Sequence, residues 1–219
     1  GAGPGGCEAA KTAFARGHQV TLFEKTNQIG GQLVAGGKMK IKHDVAKYLR
    51  NLQYQMDILS KNGLEIKYNT GVVSTNIEDT LKDKYDVIIC ANGLTPVVPE
   101  IEGKDLIRSL EAREFLLNGM RLPEDVKKVT IIGGGVVGCE VAFSLAYERG
   151  LEVTVVEMLP NLMTGTVHAN RSMLLWMMEF RRVLFRSFRT TGGCFKGAGK
   201  SFYFLESSPF GGRESIYPC

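Results

Sequence analysis

The run Val129-Thr130-Ile131-Ile132-Gly133-Gly134-Gly135-Val136-Val137-Gly138-Cys139-Glu140 decides how this chain folds. Its first four residues are apolar or β-branched and read as a strand. Gly133, Gly135 and Gly138 then form a G-x-G-x-x-G turn. A helix follows from Cys139 to Arg149, with Val141, Ala142, Leu145 and Ala146 as its apolar positions and Gly150 as its cap. Leu151 to Val156 reads as a second strand that ends on Glu157. This order suits a dinucleotide. The first glycine permits the tight turn, the second lets the backbone approach a pyrophosphate, and the third lets the helix pack on the strand. The free amides and dipole at the helix N-terminus hold the phosphates, which assigns the backbone of Val136 and Val137 to the site along with the glycines.

The same pattern opens the chain. Gly1, Gly3 and Gly6 form a G-x-G-x-x-G with Pro4 inside it. A helix is expected from Cys7 to Arg16, capped by Gly17, and a strand from Gln19 to Phe23 that ends on Glu24. GCEAA after the first turn answers GCEVA after the second. The acid lies 23 residues after Gly1 in one copy and 24 after Gly133 in the other. This is an internal repeat of a mononucleotide-binding half. The expected fold is therefore α/β, with two Rossmann-like dinucleotide-binding domains. A strand normally precedes such a glycine turn, and none precedes Gly1, so the first domain is expected to be incomplete and the chain truncated.

Glu24 and Glu157 are placed to accept hydrogen bonds from a ribose. A carboxylate at 157 suits the 2′-OH of NADH and repels the 2′-phosphate of NADPH, which usually meets an arginine. Arg149 lies before the strand and not at that position.

Between the repeats stand Gly30-Gly31-Gln32-Leu33, a helix expected from His43 to Leu59, a strand at Glu65–Asn69 with Gly71-Val72-Val73 behind it, and an apolar strand Tyr85–Cys90 that ends on Ala91-Asn92-Gly93. A further helix is expected from Ser109 to Leu117.

This succession resembles the two-dinucleotide-domain flavoprotein reductases, in which an NAD domain is inserted within an FAD domain. Ala91-Asn92-Gly93 looks like their Ala-Thr-Gly signature, with Asn in place of Thr. Gly-Gly-Gln-Leu at 30–33 is similar to the C-terminal module of the 2,4-dienoyl-CoA reductase, enoate reductase and NADH:flavin oxidoreductase group. The resemblance covers residues 1 to about 180. It implies FAD on Gly1, Gly3, Pro4, Gly6 and Glu24, with Gly31 and Gln32 near the flavin, Val72 near the adenine, and Ala91, Asn92 and Gly93 packed on the cofactor. It implies NADH on Gly133, Gly135, Val136, Val137, Gly138 and Glu157. In full-length relatives of this type, a barrel half carrying FMN and an iron–sulfur cluster goes on to reduce an activated C=C bond of an enoate or enoyl-CoA. Two rivals stay open: a stand-alone NADH oxidase or NADH:acceptor reductase, and a non-catalytic nucleotide-binding fragment or assembly chimera. No residue stands out as a proton donor or acceptor for catalysis.

Cysteine spacing narrows the choice. The five cysteines at 7, 90, 139, 194 and 219 form no CxxC and no CxxxxC. That argues against a zinc site and against a redox disulfide of the glutathione-reductase or thioredoxin-reductase kind, and it fits a cytoplasmic setting. A net charge of +4 without a sustained basic run gives no footprint for nucleic acid. The most apolar stretch, 129–145, is interrupted by Gly133, Gly135 and Glu140 and does not read as a membrane span. His18, His43 and His168 are widely spaced without a nucleophile pattern.

The expected division is an FAD-binding domain over 1–103, an NAD-binding domain over 104–180, and a foreign tail over 181–219. The heptapeptide Arg181-Arg182-Val183-Leu184-Phe185-Arg186-Ser187 is what AGA CGT GTG CTC TTC CGA TCT encodes, a common sequencing-adapter read. Gly197-Ala198-Gly199-Lys200-Ser201 imitates the end of a P-loop, but Cys194 stands where that motif needs its first glycine.

Overall fold

The computed structural model describes residues 1–98, 108–179, 183–187 and 201–205. The chain divides into two compact units, one of Gly1–Lys38 with Lys42–Thr95, the other of Met39–Ile41 with Pro96–Cys219.

In the first unit, helix α1 (Pro4–Ala15) follows the glycine turn directly, with proline in its first turn, where a missing N–H costs nothing. Strand β1 (Thr21–Phe23) comes next, then the short helix α2 (Gln32–Gly36), a single 3-10 turn over Lys40–Lys42 assigned to the second unit as far as Ile41, and the long helix α3 (His43–Lys61). Strand β2 (Glu65–Lys67) pairs in parallel with β1, Leu22 opposite Ile66. Helix α4 (Ile77–Leu81) closes the ordered elements. Ala2, Cys7, Ala10, Leu22, Ile29, Leu52, Met56 and Leu64 form the core. Of α3, Leu52 and Met56 are buried, while Tyr48 stays exposed and its hydroxyl donates to Glu8.

The apolar strand expected at Tyr85–Cys90 does not form. Residues 85–90 carry no ladder, and Val87, Ile88 and Ile89 are 77%, 52% and 63% exposed. A strand exists only when its backbone groups find a partner, and among the described residues no strand pairs with this segment.

The second unit is built on a parallel sheet in the order β3-β7-β4-β5-β6. Its strands are β3 (Arg108–Glu111), β4 (Lys128–Ile132), β5 (Glu152–Glu157), β6 (Leu184–Ser187) and β7 (Ser201–Leu205). Helix α5 (Ala112–Leu117) follows β3, α6 (Val136–Arg149) joins β4 to β5, and α7 (His168–Glu179) follows β5. Val129 and Ile131 of β4 and Val153 and Val155 of β5 are buried in register, with Val129 opposite Val153. Helix α6 lays Val141, Ala142 and Leu145 into the core and stops at Gly150, whose φ of +67° suits glycine.

Several boundaries differ from the sequence reading. Helix α1 starts at Pro4 rather than Cys7 and α6 at Val136 rather than Cys139, because each helix begins inside its glycine turn. Strands β1 and β2 are shorter than expected, spanning Thr21–Phe23 and Glu65–Lys67. The helix expected over Ser109–Leu117 starts only at Ala112, because residues 108–111 pair with β7 and the Glu111 carboxylate accepts the N–H groups of Arg113 and Glu114. That cap satisfies two of the donors a helix start leaves open. Strand β6 lies inside the heptapeptide read as adapter-encoded and adds to β5 as an edge strand. Residues 197–200 of the P-loop-like run lie outside the described residues, and Ser201 opens β7.

Candidate functional site

Both glycine turns share one set of hydrogen bonds, to which the first adds the Thr26 hydroxyl on Glu24. In the first, the Ala2 N–H donates to Glu24 Oε2 at 2.7 Å. In the second, the Gly134 N–H donates to Glu157 Oε2 at 2.6 Å. The carbonyl of the same middle residue is clasped in each copy from two directions. The Cys7 thiol donates to Ala2 O at 3.3 Å, and the Gly30 N–H donates to it at 2.8 Å. The Cys139 thiol donates to Gly134 O at 3.4 Å, and the Met163 N–H donates to it at 2.7 Å. Each acid also accepts the N–H two residues on, from Thr26 at 2.8 Å and from Leu159 at 2.9 Å.

In the first turn, the motif glycines Gly1 and Gly6, and Gly31 beside them, stand where a Cβ would collide. A Cβ on Gly6 would run into Gly1 O, and one on Gly31 would come within 2.9 Å of Gly3 Cα and 3.9 Å of Pro4 Cδ. A Cβ on Gly1 would stand 2.7 Å from Ala91 O and 3.4 Å from Asn92 Cα. The first unit therefore brings together Gly1, Gly3, Pro4, Gly6, Glu24, Gly31, Ala91 and Asn92. Val72 follows a backbone anchored on the acid, since the Thr70 N–H donates to Glu24 O at 2.8 Å. Gln32 is the first residue of α2 and is exposed. Gly93 has φ +70° and open space around its Cα. In the second unit, Gly133, Gly135, Val136, Val137, Gly138 and Glu157 surround the turn between β4 and α6. Gly134 is pressed against Leu162 and Glu157.

Both helices start on a glycine, which has no side chain to cap them. Gly3 is the N-cap of α1 and Gly135 the N-cap of α6, and neither first turn carries an acid. Amide donors and the positive end of the helix dipole thus face the place where the motif expects a phosphate. This donor set fits a dinucleotide in each unit, and in the first unit Gly1, Gly6 and Gly31 stand where a Cβ would collide with backbone.

Electrostatics sharpen the first turn. Burial pushes the Glu24 carboxyl up, but the N–H groups of Thr26 and Ala2 and the Thr26 hydroxyl outweigh it and hold the group below the ordinary glutamate range. The carboxylate has three donors among roughly four acceptor positions, so one position remains for a ribose hydroxyl. The Cys7 thiol is pushed up to about 11, chiefly by burial and then by the charge of Glu8.

The sequence reading missed the thiols and the backbone clasp. The signal was present in the repeated Gly-Cys-Glu after each turn, and in Gly30 and Met163, each six residues past its acid. Cys7, Cys90 and Cys139 are free among the described residues, and those residues hold no cluster of three metal-ligating groups. No helix of the described residues is long and apolar enough to cross a membrane.

Comparison with known proteins agrees with this construction. Residues 1–187 match the pyridine nucleotide-disulphide oxidoreductase family. The chain is 37% identical over 186 residues to a cinnamate reductase of Clostridium sporogenes, covering 84% of this chain and 26% of that protein. It is 39% identical over 169 residues to an NADH oxidase of Thermoanaerobacter brockii, covering 74% and 24%. A 2-naphthoyl-CoA reductase in complex with 2-naphthoyl-CoA superposes with a TM-score of 0.78 at 28% identity, over 94% of this chain and 32% of that one. The chain spans about a quarter of the length of these curated relatives. Its fold is the Rossmann-type α/β fold of that group, and the chain belongs to the pyridine nucleotide-disulphide oxidoreductase family.

Proposed function

We propose that this chain is the electron-entry module of a flavoprotein reductase, with FAD on the first turn and NADH on the second. The observation that carries this reading is the duplicated turn, with its glycine N-cap and its buried or half-buried acid bonded to the turn in both units. We assign FAD to Gly1, Gly3, Pro4, Gly6, Glu24, Gly31, Gln32, Val72, Ala91, Asn92 and Gly93, and NADH to Gly133, Gly135, Val136, Val137, Gly138 and Glu157. When bound, the nicotinamide supplies a hydride and the flavin accepts it.

The chain's own part is binding and orientation. The helix starts of α1 and α6 offer amides to the two pyrophosphates. Glu24 and Glu157 each keep acceptor capacity for a ribose while steadying the turn beside it. The charge of Glu157 selects NADH over NADPH. A steady-state comparison on the complete gene is expected to give the higher kcat/KM with NADH, and a higher value with NADPH contradicts the assignment.

The likeness to a cinnamate reductase and a 2-naphthoyl-CoA reductase supports an enoate or enoyl-CoA as the small-molecule substrate of the complete protein. On that reading, FMN and an iron–sulfur cluster belong to a barrel half outside this chain. The likeness to an NADH oxidase supports a second reading, in which the reduced flavin passes electrons to dioxygen or another acceptor. Activity of the complete protein separates them: NADH-dependent reduction of an enoate or enoyl-CoA favours the reductase, and NADH-dependent oxygen uptake without it favours the oxidase. We further propose the domain division 1–103, 104–180 and a foreign tail from 181, the last resting on the adapter-encoded heptapeptide. Genomic reads running unbroken through codons 178–190 would contradict the foreign tail.

A further inference from the structure

The geometry points to Cys7 and Cys139 as positioning residues for cofactor binding, each thiol fixing the peptide plane that aims the second glycine of its turn at a phosphate. The inference rests on the dinucleotide reading above. The two thiols occupy the same position in the repeat, are 0% exposed, and donate to the equivalent carbonyl, that of Ala2 or Gly134. A second donor meets each carbonyl from the main chain, Gly30 in one unit and Met163 in the other. The plane is therefore held from two directions.

In a trans peptide the C=O and the following N–H point to opposite sides, and no cis bond occurs among the described residues. Clasping Ala2 C=O thus aims the Gly3 N–H, and clasping Gly134 C=O aims the Gly135 N–H. Gly3 and Gly135 are the N-caps of α1 and α6, where the motif brings a pyrophosphate closest to the backbone. Burial keeps the Cys7 thiol protonated at neutral pH, so it has a proton to donate. The arrangement performs no redox chemistry. Cys7 and Cys139 sit in different units, each buried and each bonded to its own turn.

The test is a set of exchanges in the full chain, with FAD affinity read by flavin fluorescence and NADH affinity by nicotinamide fluorescence. Cys7→Ala is expected to loosen FAD by roughly threefold to tenfold, the effect of one lost neutral hydrogen bond, and to leave NADH unchanged. Cys139→Ala is expected to loosen NADH in the same range and leave FAD unchanged. Cys7→Ser and Cys139→Ser keep a donor and are expected to restore each affinity. Should an Ala variant fail to fold, the Val exchange supplies the bulk without the donor and takes its place. Affinities unchanged in Cys7→Ala and Cys139→Ala overturn the inference. So does an equal loss of both cofactors in either variant, or a failure of Ser to rescue, since these mark general packing. If the unsubstituted chain takes up neither cofactor, the dinucleotide reading falls first and this inference with it.

Discussion

Glu157 Oε2 accepts the Gly134 N–H at 2.6 Å, joining the end of β5 to the middle of the glycine turn 23 residues earlier. The residue assigned to the ribose therefore also holds the loop assigned to the phosphates. Replacing it disturbs both. Glu157→Ala is expected to weaken NADH binding by at least tenfold, which corresponds to about 1.4 kcal/mol, and to narrow the preference for NADH over NADPH, because the charge that repels a 2′-phosphate is gone. Titration of both nucleotides against the variant checks this. A variant that loses both affinities equally would show that Glu157 serves the loop alone.

Glu24 gives a pH dependence with a definite sign. Its folded-state carboxyl lies below the ordinary glutamate range because Thr26 and Ala2 donate to it. A group depressed on folding contributes stability that is complete above its unfolded value. That stability declines as the pH falls below that value and is gone below the folded one. Urea unfolding followed from neutral to acid pH is expected to show a decline that is shallower in Glu24→Gln. An equally steep decline in the variant would place the acid sensitivity elsewhere.

Gly5 and Gly6 are neighbours in the first turn of α1 and face opposite demands. A Cβ on Gly6 would collide with Gly1 O, whereas one on Gly5 would meet nothing within 4 Å. Gly6→Ala is expected to destabilise the chain and release FAD. Gly5→Ala is expected to be neutral or to stabilise by up to about 1 kcal/mol, since glycine is the more costly residue in a helix. Thermal unfolding of the pair checks the contrast, and equal effects would contradict the close approach.

The segment 85–90 predicts a surface effect. Val87 and Ile89 are largely exposed, so Val87→Lys combined with Ile89→Lys is expected to change stability by no more than about 0.5 kcal/mol while reducing self-association through the unpaired backbone. Ile131→Ala, at a position 1% exposed, is expected to cost about 2–5 kcal/mol. Denaturant midpoints and light scattering measure both. A lysine pair as damaging as Ile131→Ala would mean that the segment is buried.

The two glycine turns, their helices and their terminal acids were legible in the sequence because strand, turn and helix are local patterns with fixed offsets. Helix α6 ends at Arg149 against Gly150 as its sequence implies, although it begins at Val136, three residues before the expected Cys139. The misreadings are nonlocal. Residues 109–111 read as helix, and only their ladder with β7, about ninety residues away in sequence, makes them strand. Tyr85–Cys90 has a strand's composition, but composition does not supply a partner. At the site, the sequence singled out Glu24 and Glu157 but not their hydrogen bonds from Ala2 and Gly134, because a hydrogen bond to backbone leaves no mark on residue identity. The thiols left a mark, the shared Gly-Cys-Glu, whose meaning needed the carbonyls in view.

The central claim is that one chain holds FAD and NADH on its two turns. Anaerobic addition of NADH to the FAD-loaded chain, followed through the visible absorbance of the flavin, tests it most directly. The account predicts bleaching of the flavin, with Glu157→Ala requiring more NADH to reach the same extent. A flavin that does not bind, or that stays oxidised at saturating NADH, would contradict it.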